Sequence, residues 1–140
     1  MADGSEGQRF IVPSCCEDFI LHDDQGLLAR VGAYYHDIGK LNRPGYFIEN
    51  QFHIQNPHDR LTPGLSRLAI TAHVKDGVAL ATAEGLPPDI IDIIKEHHGT
   101  TVLSYFYHKA IESTREGVVD EEAYRYAGQK PVSREAAIIM

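Results

Sequence analysis

The sequence predicts an all-α domain. Apolar residues recur at helical spacing in successive segments, each segment is bounded by cap or breaker residues, and strand-type alternation is nearly absent. With 140 residues and 43% hydrophobic content, the chain fits one globular domain able to bury its own core.

The elements follow in order. Residues 1–26 read as a poorly defined N-terminal segment, polar at first and then broken by Pro13 and the acidic turn "HDDQG". The first firm helix is expected over Leu27 to Ile38, with Leu27, Leu28, Val31, Tyr34, Tyr35 and Ile38 on one stripe and Gly39 as its end. Its other face carries Ala29, Gly32, Ala33 and His36, small enough for a second element to approach. Leu41 to Leu61 reads as a long loop rich in Asn, Pro and aromatic residues, a length that favours a functional role. Thr62 and Pro63 start a second helix toward Gly85, with a bend expected near His73 or Gly77. Pro87 and Pro88 open a third, "PDIIDIIKEHHG", closed by Gly99. A fourth covers Val102 to about Ser113, with Val102, Leu103, Phe106, Ala110 and Ile111 buried. "VDEEAYRYAG" suggests a short helix capped by Asp120, and Ser133 caps "REAAIIM", an apolar helix without a stop signal that predicts a fold cut at its C-terminus.

Composition narrows the function. The formal net charge is −7 and no basic run occurs, which excludes a nucleic acid polymer as partner. A phosphate ester would then need a metal to neutralise it, and eight histidines supply ligands. Cys15 and Cys16 are neighbours, unsuited to a long-loop disulfide, so a reducing, cytoplasmic compartment is expected. No stretch has the length and apolarity of a membrane span or a signal peptide, so no membrane contact by this chain is expected.

The third helix holds the most telling pattern. Ile90, Ile91 and Ile94 define an inward stripe, and the next positions along it are His97 and His98. Burying an unsatisfied polar group costs roughly 1–3 kcal/mol, so two adjacent imidazoles require partners. His73 stands among alanines in the second helix, and His36 and Asp37 in the first. Imidazole with carboxylate is the ligand set of a divalent transition metal, and docking three helices would satisfy all five groups together. Each of these histidines alone is more often a hydrogen-bonded core residue. Five inward positions reverse that balance. His22 reads as turn or surface, His53 and His58 are equally open to substrate contact or exposure, and His108 is expected partly exposed. Tyr34, Tyr35, Tyr105 and Tyr107 are expected in the core rather than as base-stacking platforms.

The order His-Asp, His, His-His resembles the HD-domain metal-dependent phosphohydrolases. "LLARVGAYYHDIGKLNRPGYFIENQ", "NPHDRLTPGLSRLAITAHVKDGV", "GLPPDIIDIIKEHHGTTVLSYFYHKA" and "PVSREAAIIM" resemble the cytoplasmic HD domain of bacterial seven-transmembrane HD receptors, the cyclic di-AMP phosphodiesterases, over residues 27–140. The resemblance implies that Asp37, His73, His97 and His98 hold one metal position. It implies a second position using His36 and Asp37 with two outer ligands. Neither outer ligand occurs in this sequence: the segment before Leu27 offers only His22, too close to His36, and the other would fall beyond Met140. One or two manganese or iron ions per chain are expected, with a single-metal or weakened site one outcome.

The resemblance further implies hydrolysis of cyclic di-AMP to a linear dinucleotide by metal-activated hydroxide attack on phosphorus. Lys40 would contact a non-bridging oxygen or assist the leaving oxygen, and Thr100 and Thr101 would donate to phosphate; a solvent-exposed helix end and a cap of the fourth helix are the plain alternatives. Another nucleotide or an alarmone as substrate, or a nucleotide- or metal-binding sensor module without turnover, are the competing functions.

Overall fold

In the computed structural model, residues 23–51, 55–114 and 117–140 are described. The fold is all-α. Helices α1 (Asp23–Tyr35), α2 (Pro63–Ala83), α3 (Pro88–Glu96), α4 (Ser104–Ser113) and α5 (Arg134–Ile139) follow in order, with short 3-10 turns between α1 and α2 and between α4 and α5. Among the described residues there is no strand, only one isolated bridge between Val102 and Arg125. No helix there is long and apolar enough to cross a membrane.

The caps explain the boundaries. The Leu65 backbone N–H donates to Thr62 Oγ1 (3.3 Å) at the start of α2, and the Ala136 N–H to Ser133 Oγ (3.0 Å) at the start of α5. At the end of α3, Gly99 takes φ +51°, a left-handed turn that glycine enters without steric cost. The core lies where α2, α3 and α5 meet, built on Ala81, Ile90, Ile93, Ile94 and Ala136, with Leu28, Val31, Tyr35 and Ile38 packed onto it. Gly32 is the contact point of α1: a Cβ there would stand 2.6 Å from Ile93 Cδ1 and 2.8 Å from Ile139 Cδ1. The small-residue face expected on this helix is present at Ala29 and Gly32, whereas Ala33 is exposed.

Several expectations need correction. Helix α1 ends at Tyr35, before His36 and Asp37, and Ile38–Asn42 form a 3-10 turn. The reason is Gly39, whose backbone presses against α2 so closely that a Cβ would lie 1.9 Å from the His73 carbonyl oxygen and 2.4 Å from the Gly77 nitrogen. A straight α1 could not make that crossing. Leu27, Tyr34, Tyr105 and Ile111 are exposed, and Ile93 rather than Ile91 fills the α3 stripe. In the 41–61 stretch, the described residues 41–51 and 55–61 do not form an open loop but carry successive 3-10 turns. They close around His58, 5% exposed, whose Nε2–H donates to the Tyr46 carbonyl (2.9 Å) while its ring packs on Phe106. "VDEEAYRYAG" forms only the turn Glu122–Tyr124, with Asp120 Oδ1 accepting from the Glu122 N–H (3.0 Å). Helix α2 is continuous through His73 and Gly77. Cys15, Cys16, His22 and His53 lie outside the described residues.

Gly39→Ala tests this crossing. It is expected to destabilise the domain by about 3 kcal/mol, because backbone rather than a movable side chain occupies the space. Urea unfolding of the metal-free protein measures it.

Candidate metal centre

Three elements converge on one point. The turn after α1 brings His36 and Asp37, the middle of α2 brings His73, and the turn after α3 brings His97 and His98. Asp37, His73, His97 and His98 each place one ligand atom within 4.8 Å of all the others. His73 and His97 are 2% and 3% exposed. Asp37 has φ −102° and ψ 12°, the sparsely populated bridge region found at many active-site residues.

The hydrogen bonds at the rings fix which nitrogen faces inward. His73 Nδ1 lies 2.6 Å from the Ile70 carbonyl and His97 Nδ1 lies 2.8 Å from the Ile94 carbonyl. A carbonyl oxygen only accepts, so both Nδ1 atoms carry the proton. In the neutral rings both Nε2 atoms then present lone pairs. They stand 3.1 Å apart, with Asp37 Oδ1 at 3.3 Å from His73 Nε2 and 3.6 Å from His97 Nε2. Asp37 Oδ1 is itself buried without a hydrogen-bond partner. Three acceptors facing one another repel unless a cation lies between them. Ligand atoms about 2.1 Å from a common ion stand about 3–3.5 Å apart, so the spacing fits a bound divalent metal. The same orientation of metal-binding imidazoles by backbone carbonyls is general.

The other carboxylate oxygen faces different groups. Asp37 Oδ2 accepts from Lys40 Nζ (2.8 Å) and lies 3.0 Å from His36 Nε2, while His36 Nδ1–H donates to the Ala33 carbonyl (2.8 Å). Lys40 also reaches Glu49 Oε1 at 2.6 Å and lies 5.0 Å from the centre of the Phe47 ring. Burial alone pushes the Asp37 carboxyl up, but His36 and the Lys40 ammonium on its Oδ2 hold it well below the usual carboxylate range. Contact with Asp37 raises His36 despite its burial. Burial lowers Lys40, and Asp37 and Glu49 more than reverse this, so its ammonium is a hydrogen-bond donor and not a base. His98 is pushed down to about 3 by burial and by the neighbouring His97 and His73, which leaves it neutral and able to ligate.

Of the sequence-predicted residues, the structure brings Asp37, His73, His97 and His98 together, and sets His36 and Lys40 on the far oxygen of Asp37. Thr100 and Thr101 follow His98 with exposed side chains; neither caps α4, which begins at Ser104. Their carbonyls accept from Arg125 Nη1 (3.2 Å) and the Tyr126 N–H (2.9 Å). Sequence reasoning missed Phe47, Glu49 and Tyr126. Phe47 is buried with its ring edge-on to His73 (5.5 Å), and Tyr126 stacks on His98 (4.1 Å, 17°). Only the "GYFIENQ" aromatic and acidic cluster gave any signal, for the first two.

Comparison with known proteins agrees with this geometry. The HD domain family model matches residues 17–140. The chain is 54% identical over 114 residues to the cyclic-di-AMP phosphodiesterase PgpH of Bacillus subtilis, covering 81% of this chain and 16% of that protein. It is 55% identical over 113 residues to PgpH of Listeria monocytogenes, with the same coverage. The chain thus spans about a sixth of the length of these relatives. The solved HD domain of L. monocytogenes PgpH superposes with a TM-score of 0.74 at 55% identity, covering 81% of this chain and 51% of that one. Its complex with cyclic di-AMP gives 0.76, covering 81% and 52%. By sequence and by fold, this chain belongs to the HD domain family.

Proposed function

We propose that this chain forms the metal-binding core of a phosphodiesterase that opens cyclic di-AMP to a linear dinucleotide. The observation that carries the reading is the buried meeting of Asp37 Oδ1 with the inward-facing Nε2 atoms of His73 and His97, beside His98. The choice of substrate rests on the relatives, which are named cyclic-di-AMP phosphodiesterases. Manganese or iron suits the nitrogen and oxygen donors.

A divalent cation held there supplies Lewis-acid stabilisation of charge on the phosphoryl oxygens and activates water. The remaining work falls to side chains of this chain. Asp37 stays ionised and fixes the geometry through both oxygens. Lys40, protonated, donates from Nζ to a non-bridging oxygen or to the leaving oxygen as the P–O bond breaks. Thr100 and Thr101 offer exposed hydroxyls to the phosphate. Addition of water across one phosphodiester bond leaves one phosphomonoester and one hydroxyl. We place this chemistry on the cytoplasmic side of the cell.

One ion per chain suits the described residues best, because Asp37 Oδ2 and His36 meet there only the Lys40 ammonium. That arrangement also favours the second reading, a nucleotide-binding module without turnover. A substrate panel separates them. The manganese-loaded protein is incubated with cyclic di-AMP, cyclic di-GMP and a guanosine alarmone, beside His97→Ala. Conversion of cyclic di-AMP that vanishes in the variant is expected. Binding without conversion supports the module, and conversion of the alarmone alone replaces the substrate.

A further inference from the structure

The three histidines of the proposed metal set are not held alike. His73 and His97 are each oriented by the carbonyl three residues earlier, as is His36 outside the set. His98 has no such bond: neither of its ring nitrogens is hydrogen-bonded among the described residues. An imidazole ligand without an orienting partner rotates about its χ2 bond, and rotation moves its nitrogen away from the common point. The space for that rotation exists. His98 lines a cavity of about 640 Å³ together with Arg67, Thr71, Lys75 and Tyr126.

What occupies the orienting role is an aromatic face. The Tyr126 ring lies on His98 at 4.1 Å between centroids and 17° between planes, nearly parallel. Burial, with the charge of Asp37 nearby, pushes the Tyr126 phenol up, and among the described residues no hydrogen bond of its oxygen accompanies the stack. The ring face is therefore the working contact.

The segment carrying Tyr126 is itself pinned. Its own N–H donates to the Thr101 carbonyl (2.9 Å). Two residues on, Gly128 lies so close to the end of α3 that a Cβ would stand 2.6 Å from the Gly99 carbonyl oxygen. Glu96, 3% exposed and adjacent in sequence to His97, accepts from Gln129 Nε2 (2.8 Å) and from the Val132 N–H (3.0 Å). A buried carboxylate outside the metal set thus ties residues 129–132 to the helix that delivers His97 and His98.

We propose that Tyr126 is the positioning residue for His98, replacing by ring stacking the backbone hydrogen bond that orients His73 and His97. This rests on the metal-centre reading above.

Manganese titration of the full chain tests it, on wild type, Tyr126→Phe, Tyr126→Leu and Tyr126→Ala. Phe keeps the flat face; Leu keeps volume without it, and guards against Ala simply failing to fold. Phe is expected to bind within twofold of wild type, and Leu and Ala about 10-fold or more weakly. Histidine-ring NMR of the metal-free proteins gives an independent readout. In Leu and Ala the His98 resonances are expected to shift or broaden, while His73 and His97 keep their Nδ1–H signature. Wild-type affinity in Leu and Ala, or a Phe variant as weak as Ala, overturns the proposal. Wild type that takes up no manganese while the NMR pattern holds overturns the metal reading instead.

Discussion

Asp37→Asn is expected to abolish ion binding while leaving the fold intact. The two side chains have the same shape, so Asn still fits the turn after α1. Its amide oxygen can accept from Lys40, and its NH2 can donate toward the Nε2 lone pairs of His73 and His97, now 3.3 and 3.6 Å from Oδ1. The loss of the charge interaction with Lys40 is offset in part by Glu49, which holds the same ammonium at 2.6 Å. The metal-free stability should therefore change by no more than about 1 kcal/mol. Ion binding behaves oppositely, because the substitution removes the only anion among the four ligands and points an N–H at the cation position. Affinity should fall at least ~100-fold, and hydrolysis by ~1000-fold or more. Urea unfolding without metal, paired with manganese titration and a cyclic di-AMP assay, measures all three. A variant that unfolds outright, or that keeps its ion, would contradict this account of the carboxylate.

Lys40→Ala should separate catalysis from metal binding. The ammonium touches Asp37 Oδ2 and not the Oδ1 side where His73 and His97 meet. Removing it leaves those ligands in place and takes a competing positive charge from beside the ion. Manganese affinity is expected to hold or tighten. Turnover is expected to drop about 100-fold, mainly in kcat, because the lost donor acts on charge that develops at phosphorus. Lys40 is raised in the folded protein, so it remains charged throughout the neutral range and its loss should not alter the pH profile below pH 8. An unchanged kcat would reduce Lys40 to a structural partner of Asp37 and Glu49.

The candidate cluster was legible because each member broke a local rule. His97 and His98 continue an isoleucine stripe, His73 sits among alanines, and a His-Asp pair interrupts an apolar run; polar residues on the apolar faces of separate helices point to one another. Helix starts were legible at Thr62 and Ser133, where cap chemistry is local. Helix ends were legible at Gly99 and at about Ser113, but not at α1. The end of α1 depends on how near Gly39 comes to the His73 carbonyl, and no window of sequence contains that contact. Burial failed for the same reason at Tyr34, which helical spacing places on an apolar stripe, and at Tyr105, expected in the core; the packing leaves them 78% and 68% exposed. His58 went the other way, since its burial follows from Tyr46 and Phe106, which lie 12 and 48 residues away in the chain. Tyr126 was invisible because stacking on His98 across 28 residues leaves no periodic trace.

The central claim is that the acceptors facing one another at Asp37, His73, His97 and His98 form a divalent-metal centre. Elemental analysis of the wild-type chain after manganese loading and desalting, beside Asp37→Asn, tests it most directly. About one ion per chain in wild type and none in the variant is the expected result. No retained ion in wild type, or equal retention in both, would contradict it.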